Sequence, residues 1–226
     1  MRIKAIAFDM DGTLYSSEPI LAKVYHESVQ ELNTQEKTHF VSPRFEEMEP
    51  LIGLPVRDIY LALFPGISEA QMEAFGKIIA RTFRRIIAQE GGALLGPIKE
   101  IFEELEDRGY LLLIASNGTL AYLESVVQKY QLRVEPIICI QEHNGINNKT
   151  EILEAYLRHY KLDAKEMLMV GDRKSDRDAA FNVGSLFVGC NFGHGSLDEL
   201  CGAAYIIQEI NEILNIVKKL EEVHVA

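Results

Sequence analysis

The stretch Ile3-Lys4-Ala5-Ile6-Ala7-Phe8-Asp9-Met10-Asp11-Gly12-Thr13-Leu14 decides how the rest of the chain is read. Residues 3–8 are a short apolar run rich in β-branched residues that stops abruptly at Asp-x-Asp-Gly, the pattern of a buried strand ending at a loop. In extended backbone, residues i and i+2 share a face, so Asp9 and Asp11 can both point into one site. Carboxylates that close repel unless a cation lies between them or one holds a proton. The segment also reads as a plain turn, because Asp-Gly is a common turn dipeptide. An EF-hand calcium loop is excluded: Leu14 stands where its sixth-position glycine is needed, and Ile20 where its twelfth-position glutamate is needed.

Outward from this strand the pattern changes twice. Residues 20–92 read as helices only. Ser42-Pro43 offers an N-cap followed by a first-turn proline, Pro55 opens a second helix, and Ser68 caps a third that Gly91-Gly92 stops. After Gly96-Pro97 helices and strands alternate. Strands are expected at 110–115, 136–140, 167–170, 186–188 and 205–207, and helices at 98–108, 120–130, 150–160, 176–182 and 209–222. Such alternation predicts an α/β fold, a Rossmann-like parallel sheet with helices on both faces. The all-helical block after the first strand is then an insertion, giving a core of residues 1–15 and 93–226 and a cap of residues 16–92.

Composition narrows the function classes. The 226 residues carry a net charge of −11 without a long basic run, which disfavours nucleic acid and anionic membranes as partners. No stretch approaches the ~20 apolar residues of a membrane span, and the N-terminus lacks a signal-peptide core. Cys139, Cys190 and Cys201, odd in number and never paired as CxxC, fit a reducing cytoplasm and read as small buried apolar residues. The six histidines, at 26, 39, 143, 159, 194 and 224, form no ligand-spaced cluster. The expectation is a cytoplasmic protein, monomeric or weakly dimeric.

In a doubly wound sheet ligands bind beyond the carboxyl ends of the strands. Besides Asp9 and Asp11, three such ends carry polar residues. Ser116-Asn117-Gly118 follows an apolar strand and suits a phosphate oxygen, or else is an N-cap and turn. Lys149 opens a helix, against the helix dipole, so that a nearby anion would account for it; an exposed lysine is the simpler reading. Gly171-Asp172-Arg173-Lys174-Ser175-Asp176 places two carboxylates four residues apart, able to serve a hard divalent cation or to cap a helix.

These four segments, in this order, resemble the haloacid dehalogenase-like hydrolase superfamily: DxDGT at Asp9 to Thr13, a serine after a strand at Ser116, a lysine at Lys149, and GDxxxD at Asp172 and Asp176. Leu51-Ile52-Gly53-Leu54-Pro55 and Gly193-His194-Gly195-Ser196 are similar to its phosphoglycolate-phosphatase-like branch, although Thr150 stands where many members have proline. The resemblance implies a Mg2+-dependent phosphatase acting on a small phosphorylated metabolite such as phosphoglycolate, a nucleotide or a sugar phosphate. Asp9 would be the nucleophile and Asp11 the acid and base. Asp9, Asp11, Asp172 and Asp176 would serve the metal, and Ser116, Asn117 and Lys149 the phosphate. The presence of Asp11 sets the chain apart from the dehalogenases. A β-phosphoglucomutase-like phosphotransferase and a non-catalytic binding protein on the same scaffold are the alternatives. Arg57, in the cap, is a candidate ligand for a substrate phosphate, or a solvated helix residue.

Overall fold

The computed structural model describes residues 2–140 and 145–222; His143, His224 and the first part of the polar loop at 141–148 lie outside the described residues. The opening apolar run becomes β1 (Ala5–Phe8), buried at every position. Next come β2 (Tyr15–Ser16), four helices, α1 (Glu18–Glu36), α2 (Phe45–Met48), α3 (Val56–Leu63) and α4 (Glu69–Glu90), and β3 (Ala93–Leu94). The remainder alternates: α5 (Ile98–Asp107), β4 (Leu111–Ile114), α6 (Leu120–Tyr130), α7 (Lys149–Tyr160), β5 (Met167–Gly171), α8 (Lys174–Val183), β6 (Leu186–Cys190), β7 (Tyr205–Ile207) and α9 (Glu212–Glu222).

Five strands form a parallel sheet in the order β4-β1-β5-β6-β7. Strand periodicity divides its side chains between two cores. Ile6, Phe8, Leu168 and Val170 pack in one core with Ile98 and Phe102 of α5 and Ile213 and Val217 of α9. Ala5, Ala7, Met167 and Met169 pack in the other with Ile152 and Tyr156 of α7 and Ala179 and Ala180 of α8. Both sheet faces are therefore covered, and each large apolar side chain buried this way contributes about 1.5–3 kcal/mol. From β1 the chain goes to β4 on one side and later to β5 on the other, so a crevice opens at the carboxyl end of β1.

The helical insertion enters and leaves through one small antiparallel ribbon. Tyr15 pairs with Leu94 and Ser16 with Ala93, and Leu95 N–H donates to the Leu14 carbonyl at 2.9 Å. Only glycine fits at position 92, where a Cβ would lie 2.1 Å from the Tyr15 hydroxyl. Within the insertion α1 packs on α4 around Phe75, whose ring lies 6.1 Å from Tyr25, 4.9 Å from Tyr60 and 5.1 Å from Phe64. Ser68 starts α4 with a capping box: its hydroxyl accepts from Gln71 N–H at 3.2 Å and its own N–H donates to the Gln71 side chain.

Three expectations need correction. The segment at 136–140 is not a strand. Glu135 N–H makes one bond to the Leu112 carbonyl, but Pro136 has no N–H to continue the ladder, and Ile138 N–H donates to the Tyr156 hydroxyl instead. The helix expected from Ser42-Pro43 is reduced to α2, capped at Arg44 and ending in a 3-10 turn that contains Pro50. Cys201 is exposed, whereas Cys139 and Cys190 are buried. Among the described residues no helix is long and apolar enough to cross a membrane.

The Tyr156 hydroxyl joins α7, the 136–140 segment and β4: it accepts from Ile138 N–H at 2.8 Å and donates toward the Ile114 carbonyl at 3.0 Å. Tyr156→Phe leaves a part-buried N–H without a partner, so it should destabilise the fold by about 1 kcal/mol or more. A urea midpoint unchanged from wild type would contradict this account of the segment.

Candidate active site

Parallel pairing of β1 with β5 brings two carboxylates together. Phe8 lies beside Val170, and Asp9 N–H donates to the Val170 carbonyl at 2.9 Å, so Asp9 and Asp172 leave neighbouring strand tips. The first turn of α8 returns Asp176 to the same place. Asp9, Asp172 and Asp176 are all buried and offer oxygens within 4.8 Å of one another.

The cation among them is Lys149, at the start of α7. Its Nζ lies 2.9 Å from Asp9 Oδ1 and 2.5 Å from Asp176 Oδ1. The anions that justify a lysine at this helix start are thus carboxylates of the protein. Burial works against the ammonium, but Asp176 and Asp9 outweigh it and hold Lys149 above its ordinary pKa. Burial pushes Asp176 up to about 7, with Asp9 and Asp172 reinforcing the shift and Lys149 opposing it. Burial, followed by the charge on Asp9, raises Asp172 as well.

Hydrogen bonds occupy most of the carboxylate oxygens. Asp172 Oδ1 accepts from the Thr13 hydroxyl at 3.2 Å, and its Oδ2 accepts from His194 N–H at 2.7 Å and Gly195 N–H at 3.3 Å. Asp176 Oδ2 accepts from Arg173 N–H at 2.9 Å. Asp9 Oδ2 is buried and has no partner. Close backbone approach makes this possible: a Cβ on Gly195 would come within 1.8 Å of the Asp172 carbonyl, and one on Gly12, at φ 81°, within 2.5 Å of Asp172 Oδ2.

Three carboxyl groups face one ammonium in a buried space, and the upward shifts of Asp172 and Asp176 reflect negative charge that Lys149 alone does not offset. That balance and the orphaned Asp9 oxygen fit a divalent cation, and an all-oxygen donor set suits a hard one.

The Asp11 side chain stands apart from the three and lines a cavity between the insertion and the core. Its Oδ1 accepts from the Tyr122 hydroxyl at 2.6 Å and the Ser17 hydroxyl at 3.0 Å. Burial pushes its pKa up to about 7 despite the Tyr122 bond, which opposes the shift; Asp9 reinforces it. Ser116 and Asn117 border the same cavity. Ser116 Oγ accepts from Gly118 N–H at 3.3 Å, and Asn117 Nδ2 donates to the Gly53 carbonyl of the insertion at 2.9 Å. Arg57 is not brought to the site; it is exposed and paired with Glu69.

Sequence reasoning missed several contacts. Thr13 lies inside the recognised motif and carried no separate signal. The Gly193-His194-Gly195 segment after β6 stood out only as a family resemblance, not as the donor to Asp172. Tyr122 and Ser17 had no signal, because their contact with Asp11 depends on how α6 and the insertion pack.

The family model of haloacid dehalogenase-like hydrolases matches residues 3–184. The chain is 25% identical over 225 residues to a phosphoglycolate phosphatase of Vibrio parahaemolyticus, covering 95% of this chain and 96% of that protein. It is 27% identical over 202 residues to a 5'-nucleotidase of Pseudomonas aeruginosa, covering 88% of each. Among solved structures, a predicted phosphoglycolate phosphatase from Haemophilus somnus 129pt superposes with a TM-score of 0.79 at 19% identity, covering 96% of this chain and 98% of that one.

Lys149→Met tests the charge balance. In a chelating buffer it should cost about 3–5 kcal/mol of stability, because the carboxylates lose their buried partner. An unchanged urea midpoint would show that Lys149 does not compensate them.

Proposed function

Because the chain belongs to the haloacid dehalogenase-like hydrolases, we propose that it is a magnesium-dependent phosphatase that cleaves a small phosphate monoester in the cytoplasm. The observation that carries this reading is the Asp9 carboxylate: one oxygen bound to Lys149, the other buried and unpartnered, beside two further acidic groups. In this reading residues 1–15 and 93–226 are the catalytic core and residues 16–92 a cap over it.

Asp9, Asp172 and the Asp11 main-chain carbonyl would hold Mg2+, and Asp176 would support the set from its bond to Lys149. When bound, the ion neutralises the excess negative charge and lowers the repulsion between an anionic nucleophile and an anionic ester. Asp9 attacks phosphorus; an O–P bond forms to its carboxylate and the bond to the leaving oxygen breaks. Asp11 gives its proton to that oxygen, so an alcohol departs. Water then attacks the aspartyl phosphate, Asp11 takes its proton, and cleavage of the Asp9 O–P bond releases inorganic phosphate. A carboxyl with a pKa near 7 is suited to both transfers. Ser116, Lys149 and Asn117 are the candidates to hold the other phosphate oxygens, with Asn117 giving up its bond to Gly53 as it does so.

The test is turnover of p-nitrophenyl phosphate with Mg2+. Activity should vanish with a chelator and fall at least about a thousandfold in Asp9→Asn. Rapid quenching of the wild type should trap phosphate on Asp9. Undiminished turnover by Asp9→Asn, or turnover indifferent to chelation, would overturn the mechanism.

A further inference from the structure

The cavity beside Asp11 is where a leaving group would lie once its phosphate reached Asp9, so its lining selects the alcohol. Its volume is about 110 Å³. At about 10–15 Å³ for each water-sized group, that is room for roughly eight such groups. On the core side it is bordered by Asp11 and residues 116–119. The insertion closes it with Leu21, Leu54, Ile59, Ile79 and Phe83. Tyr25 and Tyr60 add ring surface, and among the described residues no hydrogen bond engages either hydroxyl.

Cations are missing from this wall. No lysine, arginine or histidine lines the cavity among the described residues. Lys149 serves Asp9, Asp176 and, in the phosphatase reading, the transferred phosphate; Arg57 is paired with Glu69, and Arg173, whose stem lies near Gly53, directs its head to Glu199. A second anionic group on the substrate would enter a largely apolar space that offers hydroxyl and amide groups but no cation, with Asp11 beside it, which is unfavourable. An uncharged apolar group would instead gain contact area, with the two tyrosine hydroxyls able to meet one polar atom.

We propose that the substrate is the monophosphate of an uncharged, largely apolar alcohol, such as an arylmethyl or branched alkyl alcohol, rather than a phosphate ester carrying a carboxylate or a second phosphate. This rests on the phosphatase reading above and adds to it the chemical class of the leaving group. The specificity-determining residues are those of the insertion wall, Ile59, Ile79 and Phe83 foremost.

The experiment compares benzyl phosphate with phosphoglycolate, both esters of primary alcohols, in the presence of Mg2+. It also compares the binding of benzylphosphonate and phosphonoacetate by calorimetry. Benzyl phosphate should have a kcat/KM about 100-fold higher or more, and benzylphosphonate should bind correspondingly more tightly. Ala80→Arg, which places a cation in the cavity wall on a helix that tolerates it, should narrow the preference at least about tenfold. Ile59→Lys on the neighbouring helix repeats the test if that variant does not fold. Equal or better use of phosphoglycolate by the wild type would overturn the inference while leaving the phosphatase reading intact. Failure to turn over either ester or p-nitrophenyl phosphate, with phosphonoacetate bound as tightly as benzylphosphonate, would overturn both.

Discussion

Lys149 is bound to Asp9 and Asp176 at once, in a space from which water is excluded, and Asp172 stands beside them. Charges taken out of water are costly unless they compensate one another, so every element that delivers one of these groups must arrive in register. β1 delivers Asp9, β5 delivers Asp172, α7 delivers Lys149 and α8 delivers Asp176. The parallel pairing of β1 with β5 and the apolar contacts of α7 and α8 beneath the sheet are the means by which this happens. Compensation is nonetheless incomplete, because one ammonium faces three acids. The remaining negative charge is what suits the site to a divalent cation.

The backbone around Asp172 carries the other half of that requirement. Its two oxygens are met by Thr13 and by the main chain of His194 and Gly195 rather than by cations. Hydrogen bonds of this kind favour the ionised form without adding positive charge, which leaves room for a metal. They require the loop after β6 and the turn after β1 to approach within distances that a Cβ would block. Glycine at 12, 193 and 195 is therefore part of the electrostatics of the site as much as of its shape.

Most of this was legible in the sequence, for a physical reason. An apolar run that stops at a carboxylate is a local pattern, and strand alternation places such endings on one rim of a parallel sheet. Asp9, Asp172 and, one helical turn on, Asp176 could thus be gathered before any coordinates, whereas Lys149 follows no strand end and joined them through the family resemblance. What depends on packing between distant segments was not legible. The strand expected at 136–140 failed because the Tyr156 hydroxyl captured Ile138 N–H from a helix eighteen residues away in sequence. Tyr122 and Ser17 reach Asp11 only because α6 and the insertion meet there. Arg57 looked available as an isolated cation, yet it is paired with Glu69 across the insertion. The apolar character of the cavity was hidden because its walls come from four separated stretches, whose apolar side chains meet only when the insertion folds onto the core.

If the excess negative charge around Lys149 is what a metal meets, the site binds one divalent cation. Calorimetric titration of Mg2+ into the metal-stripped protein measures this directly. The account predicts a single site in the wild type that is lost in Asp172→Asn, a change that preserves the shape of the side chain. Absence of binding to the folded wild type, or unchanged binding by Asp172→Asn, would contradict it.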